Sequence, residues 1–256
     1  MDDARRKGFD GFSPKTFEFL LELEFNNRKD WFEENKPQYR EFVLKPFQEL
    51  VGELSGFMLE MDSSFETRGE IDKTISRIYR DVRFSKDKSP YRSSAWITFK
   101  RAYRDWKLDP CFFFEITPHL YRYGMGFYTA SRAALNRLRE LIDEDSDEFR
   151  EILALYKSQK QFTLEGEVYK RPLDKSKTGD PFDWYQRKNI YFMCTKKIDS
   201  RLFEKGLADD IKQGFELMKP FYAFLWKIKM EGEENTCQTT EKIIKYNDRG
   251  HSSSTD

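Results

Sequence analysis

Ser94-Ala-Trp-Ile-Thr-Phe-Lys100, Cys111-Phe-Phe-Phe-Glu-Ile-Thr117 and Tyr121-Arg-Tyr-Gly-Met-Gly-Phe-Tyr128 stand close together in the chain and share one period. Ala95, Ile97 and Phe99 alternate with other residues, Phe112, Phe114 and Ile116 do the same, and the alternation returns from Tyr121. A repeat of two places such residues on one face of a strand. Three runs joined by Arg101–Pro110 and Thr117-Pro118-His119 predict an antiparallel meander. Gly124 and Gly126 share one face of the third run, where bare glycines mark a bulge or the close approach of another backbone or a ligand.

Helical spacing lies on both sides of this meander. Phe12-Ser13-Pro14-Lys15-Thr16-Phe17 has a capping serine, a proline at the first helical position and a Phe12–Phe17 staple. Asn26-Asn27 ends that helix and caps a second, which pauses at Pro37 and continues as a long amphipathic helix to Met61, kinked at Pro46. Beyond the meander, Ser131 caps a helix, and Asp145 with Glu148 forms a capping box for the next. Phe162–Arg171 reads as a hairpin turning at Glu165-Gly166, followed by a loop to Asp180-Pro181-Phe182. Asn189–Lys197 is a fourth strand, and a final helix spans about Arg201 to Met230. The plan is α+β: an antiparallel sheet of four or more strands with helices mainly on one face. Residues 1–12 read as a flexible lead-in, 13–231 as one domain and 232–256 as a polar, disordered tail.

Lys plus Arg equals Asp plus Glu at 45 each, so no overall field draws the chain to nucleic acid or anionic lipid. No signal peptide or membrane span is read, and three widely separated cysteines, Cys111, Cys194 and Cys237, fit a reducing cytoplasm. His119 and His251 are too few for a histidine metal cluster or a triad, so no metal site is expected. No phosphate loop or CxxC is found, and the cofactor, like the oligomeric state, stays open.

One stretch breaks the charge balance. From Lys73 to Arg92 the chain carries Arg77, Arg80, Arg83, Lys86, Lys88 and Arg92 against only Asp81 and Asp87. Ile75, Ile78, Tyr79 and Val82 fall at helical spacing, which predicts a helix with Arg77, Arg80 and Asp81 on its far side. Converging guanidinium groups bind phosphate or carboxylate through paired, charge-assisted hydrogen bonds. On this reading Arg77, Arg80 and Arg83 hold a small anion and Lys88 and Tyr91 close the pocket. Asp81 is the candidate catalytic base, and Asn27, Trp31 and Asp87 support the site. The competing reading is a structural or protein-interaction module in which Asp81 and Asp87 bridge the arginines as an internal ion-pair network. Single-stranded nucleic-acid binding ranks last. It draws on Lys100, Arg101 and Arg104 interleaved with Tyr91, Trp96, Tyr103 and Trp106, against a net charge of zero and the interrupting Asp105 and Asp109.

Arg77-Ile-Tyr-Arg80-Asp81-Val-Arg83-Phe84-Ser-Lys-Asp87-Lys88-Ser-Pro-Tyr91 resembles the signature of the DUF2461 family, a bacterial family of unknown function. Asn26-Asn27-Arg28-Lys29-Asp30-Trp31-Phe32 with Asn35 and Tyr39 matches its opening pattern; Gly126-Phe-Tyr128, Leu138-Arg139 and Tyr169-Lys170-Arg171-Pro172 match further on. The resemblance runs from about Ser13 to Leu225. It implies no particular activity, but it adds weight to Arg77, Arg80, Asp81, Arg83, Lys88 and Tyr91.

Overall fold

A computed structural model of the chain describes residues 8–83, 85–103 and 106–250, with side chains through Cys237. Five antiparallel strands form one sheet in the order β1-β2-β3-β5-β4. They are β1 Ala95–Phe99, β2 Pro110–Ile116, β3 Leu120–Phe127, β4 Thr163–Glu165 and β5 Tyr191–Lys197. Ile97 lies opposite Phe114, Phe114 opposite Tyr123 and Tyr123 opposite Cys194, so the inward positions of the strands fall in register. The helices α3 (Lys45–Met61) and α7 (Leu207–Gly250) pack on that face. The core between the layers is aromatic. Phe112 meets Phe215 at 4.9 Å and Tyr222 at 5.2 Å, Phe114 stacks on Phe12 at 5.8 Å, and Phe192 meets Phe221 at 4.7 Å. The expected α+β plan, with helices on one side of an antiparallel sheet, holds.

Gly124 and Gly126 are accounted for by β5. A Cβ at Gly124 would run into the Phe192 carbonyl, and one at Gly126 into Tyr191, so a neighbouring backbone makes the close approach. Cys111 and Cys194 are both buried.

Several local expectations need correction. The segment expected as a helix from Ile75 to Val82 is extended and irregular. It lies along the edge of β1, where Ser76 N–H donates to the Trp96 carbonyl at 2.9 Å and Thr98 N–H to the Thr74 carbonyl at 2.8 Å. It then returns on itself, with Tyr79 bridged to Tyr91. Pairing with the sheet outweighs a helical pattern only four residues deep, and Thr74, Ile75, Ile78, Tyr79 and Val82 are residues that favour extended chain. The segment also covers an edge that would otherwise expose unpaired backbone groups.

Pro14 stands at the first position of its helix as predicted, but Pro37 makes no pause. Helix α1 (Pro14–Phe25) begins after Ser13, and Pro37 sits inside α2 (Lys29–Gln38) without interrupting it. Ahead of Pro46, Tyr39–Leu44 widens into a π-helical turn that runs directly into α3. Lacking an N–H, Pro46 leaves the Phe42 carbonyl without its usual donor, and the buried Thr16 hydroxyl supplies one at 2.6 Å.

Helix α4 (Arg132–Asp143) is capped by Ser131 as predicted, at 3.1 Å from Ala134 N. Helix α5 (Asp147–Ser158) is capped by Ser146 rather than Asp145, whose φ of 47° places it in the preceding turn. Phe162–Arg171 is not a hairpin, because β4 pairs with β5 instead. The following loop contains a short helix, α6 (Gly179–Tyr185), that seats Trp184 in the core. The last helix starts at Leu207, after a 3₁₀ turn at Ser200–Phe203. It does not end at Gly232, where a Cβ would meet the Ala133 carbonyl at 2.5 Å; that glycine lets α7 lie against α4. Residues 251–256 lie outside the described residues. In the expected lead-in, Phe9 and Phe12 are core residues, and Phe12 N–H donates to the Leu202 carbonyl at 2.9 Å.

Candidate functional site

Three of the four arginines in the 73–92 stretch go to separate acids. Arg77 pairs with Asp72 at 2.6 Å, Arg80 with Asp87, and Arg83 with Asp81 at 2.7 Å. Arg77 and Arg83 are largely in solvent, at 67% and 76% side-chain exposure, while Arg80 is at 28%. Lys88 donates to the Val82 carbonyl at 2.9 Å, and Asp87 accepts from Ser89 N–H at 2.9 Å. The contacts are short in sequence and brace the loop between Tyr79 and Tyr91. They do not bring Arg77, Arg80 and Arg83 around one point. The Arg83 guanidinium holds the Asp81 carboxyl down at about 2. A carboxylate so easily deprotonated is a weak base near neutral pH. Phe84 and Arg104 lie outside the described residues.

Tyr91 is core rather than pocket wall. Its side chain is 2% exposed and stacks on Phe32 at 4.2 Å, and burial raises its hydroxyl pKa. Trp31 is half-buried against Phe19 at 5.7 Å. Asn27 does not cap α2, whose N-cap is Arg28. Its amide clasps the backbone of Tyr91 instead: Nδ2 donates to the carbonyl at 2.9 Å, and Oδ1 accepts from N–H at 3.0 Å. Arg80 N–H to Pro90 carbonyl and Arg92 N–H to Ile78 carbonyl, at 2.9 and 2.8 Å, complete the fastening. The Asn27 clasp and these backbone bonds together hold the chain at the next residue, Arg92.

Arg92 is the one arginine of the stretch that lines a cavity of about 410 Å³ on the uncovered face of the sheet. Its neighbours there include Trp96, Thr98, Cys111, Phe113, Glu115, Arg122, Tyr191 and Met193. These are the outward positions of the same strands whose inward positions build the core. Arg92 stacks on the Trp96 ring at 5.0 Å, and among the described residues it makes no ion pair. Arg122 and Glu115, paired across β2 and β3, neutralise each other. Burial pushes the Cys111 thiol up to about 12, so it sits in the wall as a neutral group, within 3.6 Å of the Gly126 carbonyl. A flat cation that makes no ion pair among the described residues, beside a half-open, largely apolar floor, can accept an anionic group.

Sequence reasoning missed this site because it followed only the inward alternation. The signal available was on the outward one: Trp96 and Phe113 are large apolar residues at positions where a solvated face would carry polar ones.

The residues named for nucleic-acid binding are engaged elsewhere. Lys100 lies over Trp106 at 4.1 Å, Arg101 pairs with Asp62 at 2.9 Å and stacks on Trp226, and Tyr103 bonds to Asp109. His119 pairs with Glu24 at 3.3 Å. Among the described residues no group of three or more His, Cys, Asp and Glu is placed to hold a metal ion, and no helix is long and apolar enough to cross a membrane.

A family model described as "Conserved hypothetical protein (DUF2461)" matches residues 15–224. No curated protein matches the chain.

Proposed function

The chain belongs to the DUF2461 family, and from that premise we propose that it binds a small carboxylated or phosphorylated ligand in the cavity on the open sheet face, with Arg92 as the anchor. The observation that carries this reading is a guanidinium that lines a cavity and, among the described residues, has no acid partner, while Arg77, Arg80 and Arg83 each have one. An uncompensated Arg facing an apolar floor favours an anionic group over water, because the hydrogen bonds it makes are charge-assisted and partly shielded. Ser94 and Thr98 at the same wall can add neutral hydrogen bonds.

For Arg77, Arg80, Arg83, Lys88 and Tyr91, with Asp81 and Asp87, one-to-one pairing favours the second reading, a network that shapes the loop. Calorimetric titration of the full chain with benzoate and with inorganic phosphate separates the two. Arg92→Gln should weaken binding about 10- to 100-fold, the loss of a hydrogen bond to charge worth about 1.5–3 kcal/mol. Arg80→Ala should bind like the parent. Binding lost in Arg80→Ala and kept in Arg92→Gln would return the site to the arginine stretch.

A further inference from the structure

We infer that the ligand of this cavity is a single-headed amphiphile, with its carboxylate or phosphate at Arg92 and an apolar body laid along β2 toward Cys111. The inference rests on the reading that Arg92 binds an anion, and it adds what lies beyond the head.

The register of the sheet sorts the outward side chains into three rows. Trp96, Glu115, Arg122 and Thr195 form the first, with Arg92 stacked over its Trp96 end. Thr98, Phe113, Gly124 and Met193 form the second, and Cys111, Gly126 and Tyr191 the third. Among the residues that line the cavity, charge is confined to the first row. There the Glu115–Arg122 pair cancels, so among the described residues one positive charge, that of Arg92, is left to be met. One anionic group satisfies it; a second would have no partner.

The other two rows offer the rings of Phe113 and Tyr191, a thioether and a protonated thiol, with the neutral Thr98 hydroxyl beside them. Gly126 contributes no side chain, and its bareness, imposed by the approach of Tyr191, keeps the floor low. The amide at the far margin is already engaged: Asn189 Nδ2 donates to the Phe127 and Tyr128 carbonyls at 3.2 and 3.1 Å, and Oδ1 accepts from Ala130 N–H at 2.9 Å. That amide therefore offers no anchor for a second polar head.

Glu115 and Cys111 are four residues apart on one strand, so the floor is about 13 Å long. A cavity of about 410 Å³ is near the small end of the range for ligand sites, enough for one chain or ring system and too little for a two-tailed lipid.

The test titrates the full chain by calorimetry with hexanoate, octanoate and decanoate, with octyl phosphate, with octanamide, and with acetate and inorganic phosphate as heads alone. The dissociation constant should fall about fourfold per added methylene, the ratio expected for about 0.8 kcal/mol per buried CH₂. Octyl phosphate beside octanoate tells which head is preferred. Arg92→Gln should weaken every anion by one common factor of about 10- to 100-fold and leave octanamide unchanged. Phe113→Ala, checked for an unaltered melting temperature, should flatten the chain-length series and leave acetate as it was. Affinity that depends on Arg92 but not on chain length overturns the amphiphile and spares the anion-binding reading. Octanamide binding as tightly as octanoate, or indifference to Arg92→Gln, overturns both. A concentration-dependent dimer abolished by Phe113→Asp would also overturn the inference, since the face would then be covered by a second copy.

Discussion

Asn27→Ala tests whether the loop before β1 is built to hold Arg92 in place. The side-chain amide of Asn27 makes two hydrogen bonds to the backbone of Tyr91, at 2.9 and 3.0 Å. Each is worth about 0.5–1.5 kcal/mol net, so the pair contributes about 1–3 kcal/mol. Tyr91 is 2% exposed, and its ring blocks water from one side of the peptide groups that would be orphaned. The loss should therefore fall in the upper half, about 2–3 kcal/mol. For a domain of this size that lowers the melting temperature by roughly 4–12 °C. Urea denaturation should show the midpoint falling at unchanged slope. Asn27→Asp keeps the acceptor for Tyr91 N–H but sets a carboxylate against the Tyr91 carbonyl, so it should recover less than half of the loss. Because Arg92 follows Tyr91 directly, Asn27→Ala should also weaken anion binding although Asn27 does not line the cavity. A loss below about 0.5 kcal/mol with full ligand affinity would refute the clasp.

Two further expectations come from elsewhere in the fold. Thr16→Val keeps the shape but removes the donor to the Phe42 carbonyl, and should cost about 1–3 kcal/mol by urea denaturation; the added cost should shrink in a Pro46→Ala background, where a backbone N–H returns, and equal costs in both backgrounds would count against this account. Glu66 is buried, and the Arg68 guanidinium beside it holds its carboxyl at about 2 against an ordinary 4.5. A carboxyl lowered on folding stabilises the native state above its unfolded value and loses that contribution as pH falls through the folded one. Melting temperature in the parent should thus drop between about pH 4.5 and 2 more steeply than in Glu66→Gln, and parallel curves would show that the pair contributes nothing.

The strands were legible in the sequence because each carries its own evidence. Ala95, Ile97 and Phe99 alternate whatever the rest of the chain does, and β1 lies one residue inside each end of the expected run. Ser131 and Pro14 were legible for the same reason: a cap or a first-turn proline acts within three or four residues. The failures share the opposite property. Ile75 and Ile78 are buried, which their spacing announced, but Ile75 pairs with the edge of β1 some twenty residues on and Ile78 with Arg92 just ahead of that strand. Four apolar positions fit a helix as well as an irregular extended chain, and only the distant partner decides between them.

The arginines show why the candidate site was legible in part. Charge counting located the stretch, and its last member, Arg92, lines the cavity. Which of the four arginines would be left without an acid among the described residues could not be read from spacing. Asp81 reaches Arg83 two residues away, Asp72 reaches Arg77 across the turn that bridges Ile71 and Ile75, and Asp87 reaches Arg80 because the chain folds back where Tyr79 meets Tyr91. That fold also turns Arg92 toward the open face, after which β1 carries Trp96 and Thr98 along the same wall. The two glycines complete the case. Their bareness was visible at once, but their partner, β5, begins at Tyr191, far along the chain. A cavity made from alternate residues of four strands belongs to the register between them, and register is what a single strand's sequence does not contain.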